Sequence, residues 1–288
     1  MNATIVITWL PIVALPAAVI WLTPADWPRW VFMWMFAFAI FAGCKWLTWR
    51  TTPAGAPWPR QAGYLFAWPG MDAPSFLYAA SRRAPTAGAW GFALAKLGLG
   101  LVLCLGIVPR LPASMELLRG WVGMVGIVFV LHFGLFHLLS LAWQAGGVDA
   151  KPLMDWPIRA TSVSEFWGMR WNTAFRDLTH RYLFRPLAIR VGARWALALG
   201  FLVSGTVHDL VISLPAGGGY GGPTAFFLIQ AGAIFLERSP IGKRLGLGHG
   251  MRGWVFTMLV LVGPLGLLFH PAFVRTIVTP FVSGAWLE

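Results

Sequence analysis

Along this chain, long apolar runs with almost no charge alternate with segments that carry nearly all of the charge. Four such runs, at about Thr4–Leu22, Trp30–Leu47, Gly88–Val108 and Leu118–Trp143, are long enough to cross a hydrocarbon core of about 30 Å as helices. Two more follow at about Trp195–Leu214 and Pro223–Leu236, the second short for a span, and a seventh runs from about Gly253 to Phe269. An eighth, Ala272–Trp286, is short and contains Pro280, which suits a re-entrant or interfacial piece as well as a span. These lengths predict an all-α fold, a polytopic transmembrane helical bundle of about 7–8 spans. No internal repeat is evident, so residues 1–288 read as a single membrane-embedded domain.

The connection between the fourth and fifth runs has a pattern of its own. Ser162 followed three residues later by Glu165 fits a capping box at a helix start. Trp167, Trp171, Phe175, Leu178 and Tyr182 then recur at spacings that, on a helix, hold them within about 40° of one line. Arg170, Arg176, Asp177 and His180 lie off that line. This predicts an amphipathic helix at the membrane interface, aromatic side down, kinked or ended at Pro186.

Composition supports the same solvent. Of the 288 residues, 58% are hydrophobic and 11% charged, against about 25% charged in a soluble domain. Eighteen tryptophans suit the membrane–water boundary. The net charge of +12 would suggest nucleic acid on a soluble protein; on a membrane protein it sets orientation and favours anionic headgroups, and no nucleic-acid partner is expected. The loops after the second, fourth and sixth runs, with the helix edges beside them, hold 18 of the 22 basic residues. Among them are Arg82, Arg83, Arg170, Arg176, Lys243 and Arg244; the remaining four are Arg29, Arg110, Arg119 and Arg275. The positive-inside rule then puts the N-terminus in the cytoplasm. The N-terminus lacks the basic region of a signal peptide, so the first run reads as a retained helix. Cys44 and Cys104 stand far apart in apolar runs, which suggests neither a disulfide framework nor a zinc site, and no metal is expected.

His208 is the most informative residue. It lies in Ser204-Gly205-Thr206-Val207-His208-Asp209, roughly 20 Å into the fifth run. An ionisable group at that depth is costly and faces a cavity or a partner, and Asp209 beside it doubles the anomaly. The pair is either functional or a hydrogen-bonded element of the bundle. His132 and His137, five residues apart, point about 140° away from each other on a helix and read as packing or cavity-lining residues. His180, His249 and His270 fall near interfaces and read as solvated. The glycine-rich segment Pro215–Pro223 has no following Gly-Lys-Ser/Thr and reads as a tight turn between spans, not a phosphate loop.

Glu165-Phe166-Trp167-Gly168-Met169-Arg170-Trp171-Asn172 resembles the FWxxRWN signature of the membrane-bound O-acyltransferase superfamily, in its wax-synthase-like branch. The segment Ser204–Asp209 resembles that branch's SGxxHE element, with Asp209 where Glu is commoner. Ala67–Asp72, the glycine-rich turn and Glu237-Arg238-Ser239 also look typical of bacterial members, and the likeness is firmest over residues 160–240. The resemblance implies a bacterial inner-membrane enzyme that moves an acyl group from an acyl thioester, acyl-CoA above all, to a hydroxyl. The acceptor would be a lipid or a small alcohol, a fatty alcohol as in wax ester synthesis among them. No cofactor beyond the co-substrate is implied. His208 matches the catalytic histidine and Asn172 its polar partner, in a buried catalytic cavity. Trp167, Arg170, Trp171, Arg176, Ser204 and Asp209 would contact substrate, the arginines through the coenzyme A phosphates. Two alternatives stand beside this reading. One is a proton-coupled transporter using His208 and Asp209 as a relay; the other is a non-catalytic lipid-binding protein on the same fold.

Overall fold

A computed structural model describes residues 3–81 and 84–284. Arg82, Arg83 and residues 285–288, which include the end of the eighth apolar run, lie outside the described residues. Among the described residues there is no strand, only an isolated bridge between Ala80 and Val148. The described residues form two compact units, one drawn from residues 3–153 and 277–284 and the other from residues 154–276.

The first unit holds α1 (Ala3–Leu22), α2 (Arg29–Arg50), α3 (Trp58–Ala67), α4 (Ala73–Tyr78), α5 (Ala87–Arg110) and α6 (Glu116–Ala145). Apolar side chains gain nothing by leaving lipid for a neighbouring helix, so close backbone approach matters here. A Cβ on Gly100 would lie 2.6 Å from the Val130 nitrogen, and one on Gly134 would lie 2.9 Å from Leu97 Cα. Glycine therefore sets the crossing of α5 and α6. Lys45 is buried in α2, where its Nζ donates to the Gly70 carbonyl at 2.8 Å and lies over the Tyr64 ring. That contact ties down the Ala67–Asp72 segment, and Asp72 then caps α4 through the Ser75 N–H.

The second unit holds a 3₁₀ turn at Pro157–Arg159, α7 (residues 163–170), α8 (Thr173–Ala216), α9 (Gly222–Arg238), α10 (Pro240–Leu245) and α11 (Gly250–Leu268). Its core is Val163, Ala233 and Ile234, with Trp167, Leu197, Phe201, Phe256 and Val260 packed on them.

Among the described residues, which are helical throughout their regular structure, five helices, α2, α5, α6, α8 and α11, are long and apolar enough to cross a bilayer, as in an integral membrane protein. The first expected span is the 20-residue α1, and the expected sixth, α9, is shorter at 17 residues. The expected fifth span is the second part of α8, and the helix breaks at Gly192 (φ 81°, ψ 157°), not at Pro186. Pro186 sits in the first turn after the π-helical turn His180–Phe184, where a missing N–H costs little. The described part of the eighth run is one continuous helical stretch, residues 271–283, with a π turn at Val274–Val278, too short to span.

Candidate active site

The site is built in the second unit, and its first element is α7. The Ser162 hydroxyl accepts from the Glu165 N–H at 2.9 Å, as a capping box requires. The reciprocal half differs: the Glu165 carboxylate reaches back to the N–H of Thr161 at 2.7 Å, one residue earlier than expected. The next two donors of the first turn are held by Glu237, whose buried carboxylate accepts from Val163 N–H at 2.8 Å and Ser164 N–H at 3.0 Å. A carboxylate at a helix N-terminus is favoured by the helix dipole, so the end of α9 anchors the start of α7.

Arg170 closes α7. Its Nε donates to Glu165 at 2.7 Å, its second nitrogen pairs with the same oxygen at 2.7 Å, and its third donates to the Asp155 carbonyl at 3.1 Å. Expected at the coenzyme A phosphates, this guanidinium is instead committed to holding its own loop. Arg176 is exposed and pairs with neighbouring Asp177 at 3.0 Å, a contact worth little in water.

The aromatic stripe does not run along one helix. Asn172 adopts the left-handed conformation (φ 43°, ψ 62°), which Asn tolerates better than most residues, and it breaks the chain between α7 and α8. Its side-chain oxygen then accepts the Phe175 N–H at 3.3 Å and caps α8, leaving the amide NH₂ for another acceptor. Trp171 stacks on Phe166, with centroids 5.6 Å apart and planes at 12°. Trp167 turns into the core, where it meets Phe227 at 5.4 Å and Phe201 at 6.0 Å, and its indole N–H donates to Gln230 at 3.4 Å. Gln230 is fully buried and also donates to the Val260 carbonyl at 3.0 Å.

His208 lies on the same aromatic wall. Its ring centroid is 4.5 Å from that of Phe227 and 6.4 Å from that of Phe175. Asn172 and His208 are therefore linked through Phe175, which one caps and the other touches. His208 Nδ1 lies 2.7 Å from the Ser204 carbonyl oxygen. A carbonyl only accepts, so in the neutral ring Nδ1 carries the proton and Nε2 keeps its lone pair. The Ser204 hydroxyl is itself turned back onto the Gly200 carbonyl at 2.9 Å, so Ser204 serves the helix and the imidazole. Gly205 sits where α8 and α9 cross: a Cβ there would lie 2.7 Å from Thr224 Cα.

Asp209 points elsewhere. Its carboxylate accepts from Ser213 Oγ at 2.9 Å, Gly221 N–H at 2.9 Å, Thr224 N–H at 3.1 Å and the Thr224 hydroxyl. Four donors saturate it, and they make it the anchor of the glycine-rich turn and the cap of α9. His270, expected in solvent, is buried. Burial pushes its imidazole below the ordinary range, with the charge of Asp209 acting in the opposite sense. His180 and His249 are exposed, as their positions implied.

Sequence reasoning gave Gln230 no role, named Glu237 only within a family-like segment and read His270 as solvated. Gln230 carried a signal, since a lone amide in an apolar run must find a partner. The partners of Glu237 and His270 are distant in the chain and had none. Cavities of about 220 Å³ and 310 Å³ are lined entirely by residues of the first unit, and His208 lines neither.

Residues 150–229 match the model of the family described as membrane bound O-acyl transferase. The chain is similar to a long-chain-alcohol O-fatty-acyltransferase of Simmondsia chinensis, 27% identical over 170 residues, which are 52% of this chain and 48% of that protein. It is also similar to a probable long-chain-alcohol O-fatty-acyltransferase 9 of Arabidopsis thaliana, 28% identical over 48% of this chain and 44% of that one. A third, the probable long-chain-alcohol O-fatty-acyltransferase 3 of Arabidopsis thaliana, is 36% identical over 30% of this chain and 25% of its own length. The matches thus span half or less of the relatives' length.

Proposed function

We propose that the chain is a membrane-bound O-acyltransferase, the family whose model matches residues 150–229, and that it transfers an acyl group from a thioester to the hydroxyl of a long-chain alcohol. The names of its plant relatives supply the acceptor class. The observation that carries the chemistry is the 2.7 Å contact of His208 Nδ1 with the Ser204 carbonyl oxygen, which assigns the proton to Nδ1 and leaves Nε2 as a base.

In this reading Nε2 takes the proton of the alcohol as its oxygen attacks the thioester carbonyl. The carbon–oxygen bond forms, the carbon–sulfur bond breaks, and the proton passes from the imidazolium to the departing thiolate. The carbonyl oxygen gains charge in between and needs a donor. Asn172 offers its NH₂, the oxygen of the same amide being held by the Phe175 N–H. The aromatic wall of Trp167, Phe175 and Phe227 suits a space that excludes water and admits an alkyl chain from the membrane. With Arg170 engaged in its loop, the exposed Arg176, Arg181, Arg185 and Arg190 are better placed for the coenzyme A phosphates. The basic loops favour a cytoplasmic N-terminus and donor entry from that side. A His208–Asp209 proton relay gains no support, because the Asp209 carboxylate is filled by the turn.

Thiol release from acyl-CoA by detergent-purified protein, with long-chain alcohols as acceptors, tests the proposal. Wild type should release thiol in an alcohol-dependent manner, and folded His208→Ala should not. Undiminished release by His208→Ala would remove it as the base.

A further inference from the structure

Asp209, Ser213 and His270 form one hydrogen-bonded chain that the reaction scheme leaves unused, and it starts one residue beyond His208. Each proton in it can be assigned. His270 Nδ1 accepts the Phe273 N–H at 3.1 Å, so neutral His270 carries its proton on Nε2. Nε2 lies 3.3 Å from Ser213 Oγ and donates to it. Ser213, fully buried, donates in turn to Asp209 at 2.9 Å. This is the wrong direction for a nucleophilic serine, whose histidine must accept the hydroxyl proton and not supply one. The three side chains therefore fix geometry.

What they fix is the turn that carries His208. Residues Asp209–Ser213 are a π-helical turn directly after it. Such turns sit at functional sites and persist only where their surroundings hold them. Here the holding comes from two other segments. Gly221 and Thr224 bind Asp209 from the glycine-rich turn. His270 binds Ser213 from beyond α11, with its ring seated where a Cβ of Gly219 would be.

We propose that His270, acting through Ser213 and Asp209, is a positioning residue that sets the register of the π turn and so the aim of His208 Nε2. The inference rests on His208 being the base. It also gives the glycine-rich segment a purpose: Gly219, at φ 73°, lets the backbone lie against the imidazole face.

Two isosteres separate the bonds of His270 in the full-length protein. His270→Asn keeps an acceptor for the Phe273 N–H but falls short of Ser213, whereas His270→Gln can return a donor to Ser213. We expect His270→Asn and Ser213→Ala each to lower kcat by about 10- to 100-fold, the scale of a small misalignment. KM for thioester and alcohol should hold within about twofold, the mark of a loss confined to the transition state. His270→Gln should recover most of the rate, and the double variant Ser213→Ala/His270→Asn should be no slower than either single one. Amide hydrogen exchange at residues 206–213 should quicken in both single variants and not in His270→Gln.

Wild-type kcat in both single variants, beside an inactive His208→Ala, would overturn the positioning role and leave the base intact. Multiplying losses in the double variant would also overturn it, as would unchanged exchange at 206–213, a readout independent of turnover. Activity surviving in His208→Ala would instead strike the premise.

Discussion

Gly205→Ala adds a single methyl group three residues before His208, and the structure states what that methyl would meet. Its Cβ would lie 2.7 Å from Thr224 Cα and 3.3 Å from the Cβ atoms of Thr224 and Phe227. Carbon atoms pack at about 3.5–4.0 Å, so α8 and α9 must part by about 1 Å. The obstacle is backbone, which cannot swing aside as a flexible side chain would. Overpacking of this kind costs about 1–3 kcal/mol of stability. The catalytic cost should be larger in its consequences, because the displaced residues are the ones that surround the proposed base. Thr224 holds Asp209 and Phe227 faces His208. A shift of about 1 Å at a reacting group costs about 100-fold in rate, which corresponds to roughly 2.7 kcal/mol in the barrier. The assay is alcohol-dependent thiol release, fitted for kcat and KM, beside a thermal unfolding midpoint in detergent. Gly200→Ala, on the same helix with open space at its Cβ, serves as the control and should match wild type. A Gly205→Ala enzyme with wild-type kcat would refute the argument that this crossing positions His208.

Two further substitutions probe the hinge between α7 and α8. Asn172→Gly should retain the left-handed backbone and lose the cap, whereas Asn172→Ala loses the cap and adds strain of about 1–2 kcal/mol. If Asn172 also donates to the reacting carbonyl, both variants fall to the same low kcat while only the alanine variant loses much stability; higher kcat in the glycine variant would reduce Asn172 to a hinge. Burial opposes ionisation of Glu165, but hydrogen bonds from Thr161 and Arg170 and the charge of Arg170 outweigh it and hold its carboxyl below the ordinary range. A depressed carboxyl contributes stability above its unfolded pKa, about 4.3, and loses it as pH falls through the folded value. The wild-type unfolding midpoint should therefore drop below about pH 4, and Glu165→Gln should flatten that part of the profile; an identical drop in the variant would assign the acid sensitivity elsewhere.

The membrane class and the helical content were legible in the sequence because a lipid solvent leaves its mark on every residue of a span. Charge-free runs of sufficient length cannot easily be anything but helices, since each backbone group must find its partner within the segment. His208 was legible for a related reason: an ionisable side chain in such a run is an exception that physics alone picks out. Ser162 as a cap was legible too, because the pairing spans three residues. Gly205 was present in a recognised motif, yet its purpose lay in a partner nineteen residues away.

Everything that required a partner distant in the chain was decided by the tertiary structure. The aromatic stripe has unbroken helical spacing, but periodicity cannot detect one residue in the left-handed region, and Asn172 splits the stripe there. Arg170 and Arg176 look equivalent as basic residues; one closes a loop through three hydrogen-bonding nitrogens and the other is exposed. Asp209 follows His208 in the chain and faces other partners, because consecutive residues on a helix point about 100° apart and the glycine-rich turn supplies donors on its side. His270 stands 57 residues beyond Ser213, and no local pattern could have joined them. The sequence by itself determined the solvent and most of the helices, and it singled out His208 as an ionisable group deep in an apolar run. Which polar groups are spent on holding the fold, and which are left free to react, is a property of long-range packing, because a side chain's chemistry depends on the donors and acceptors that folding brings to it.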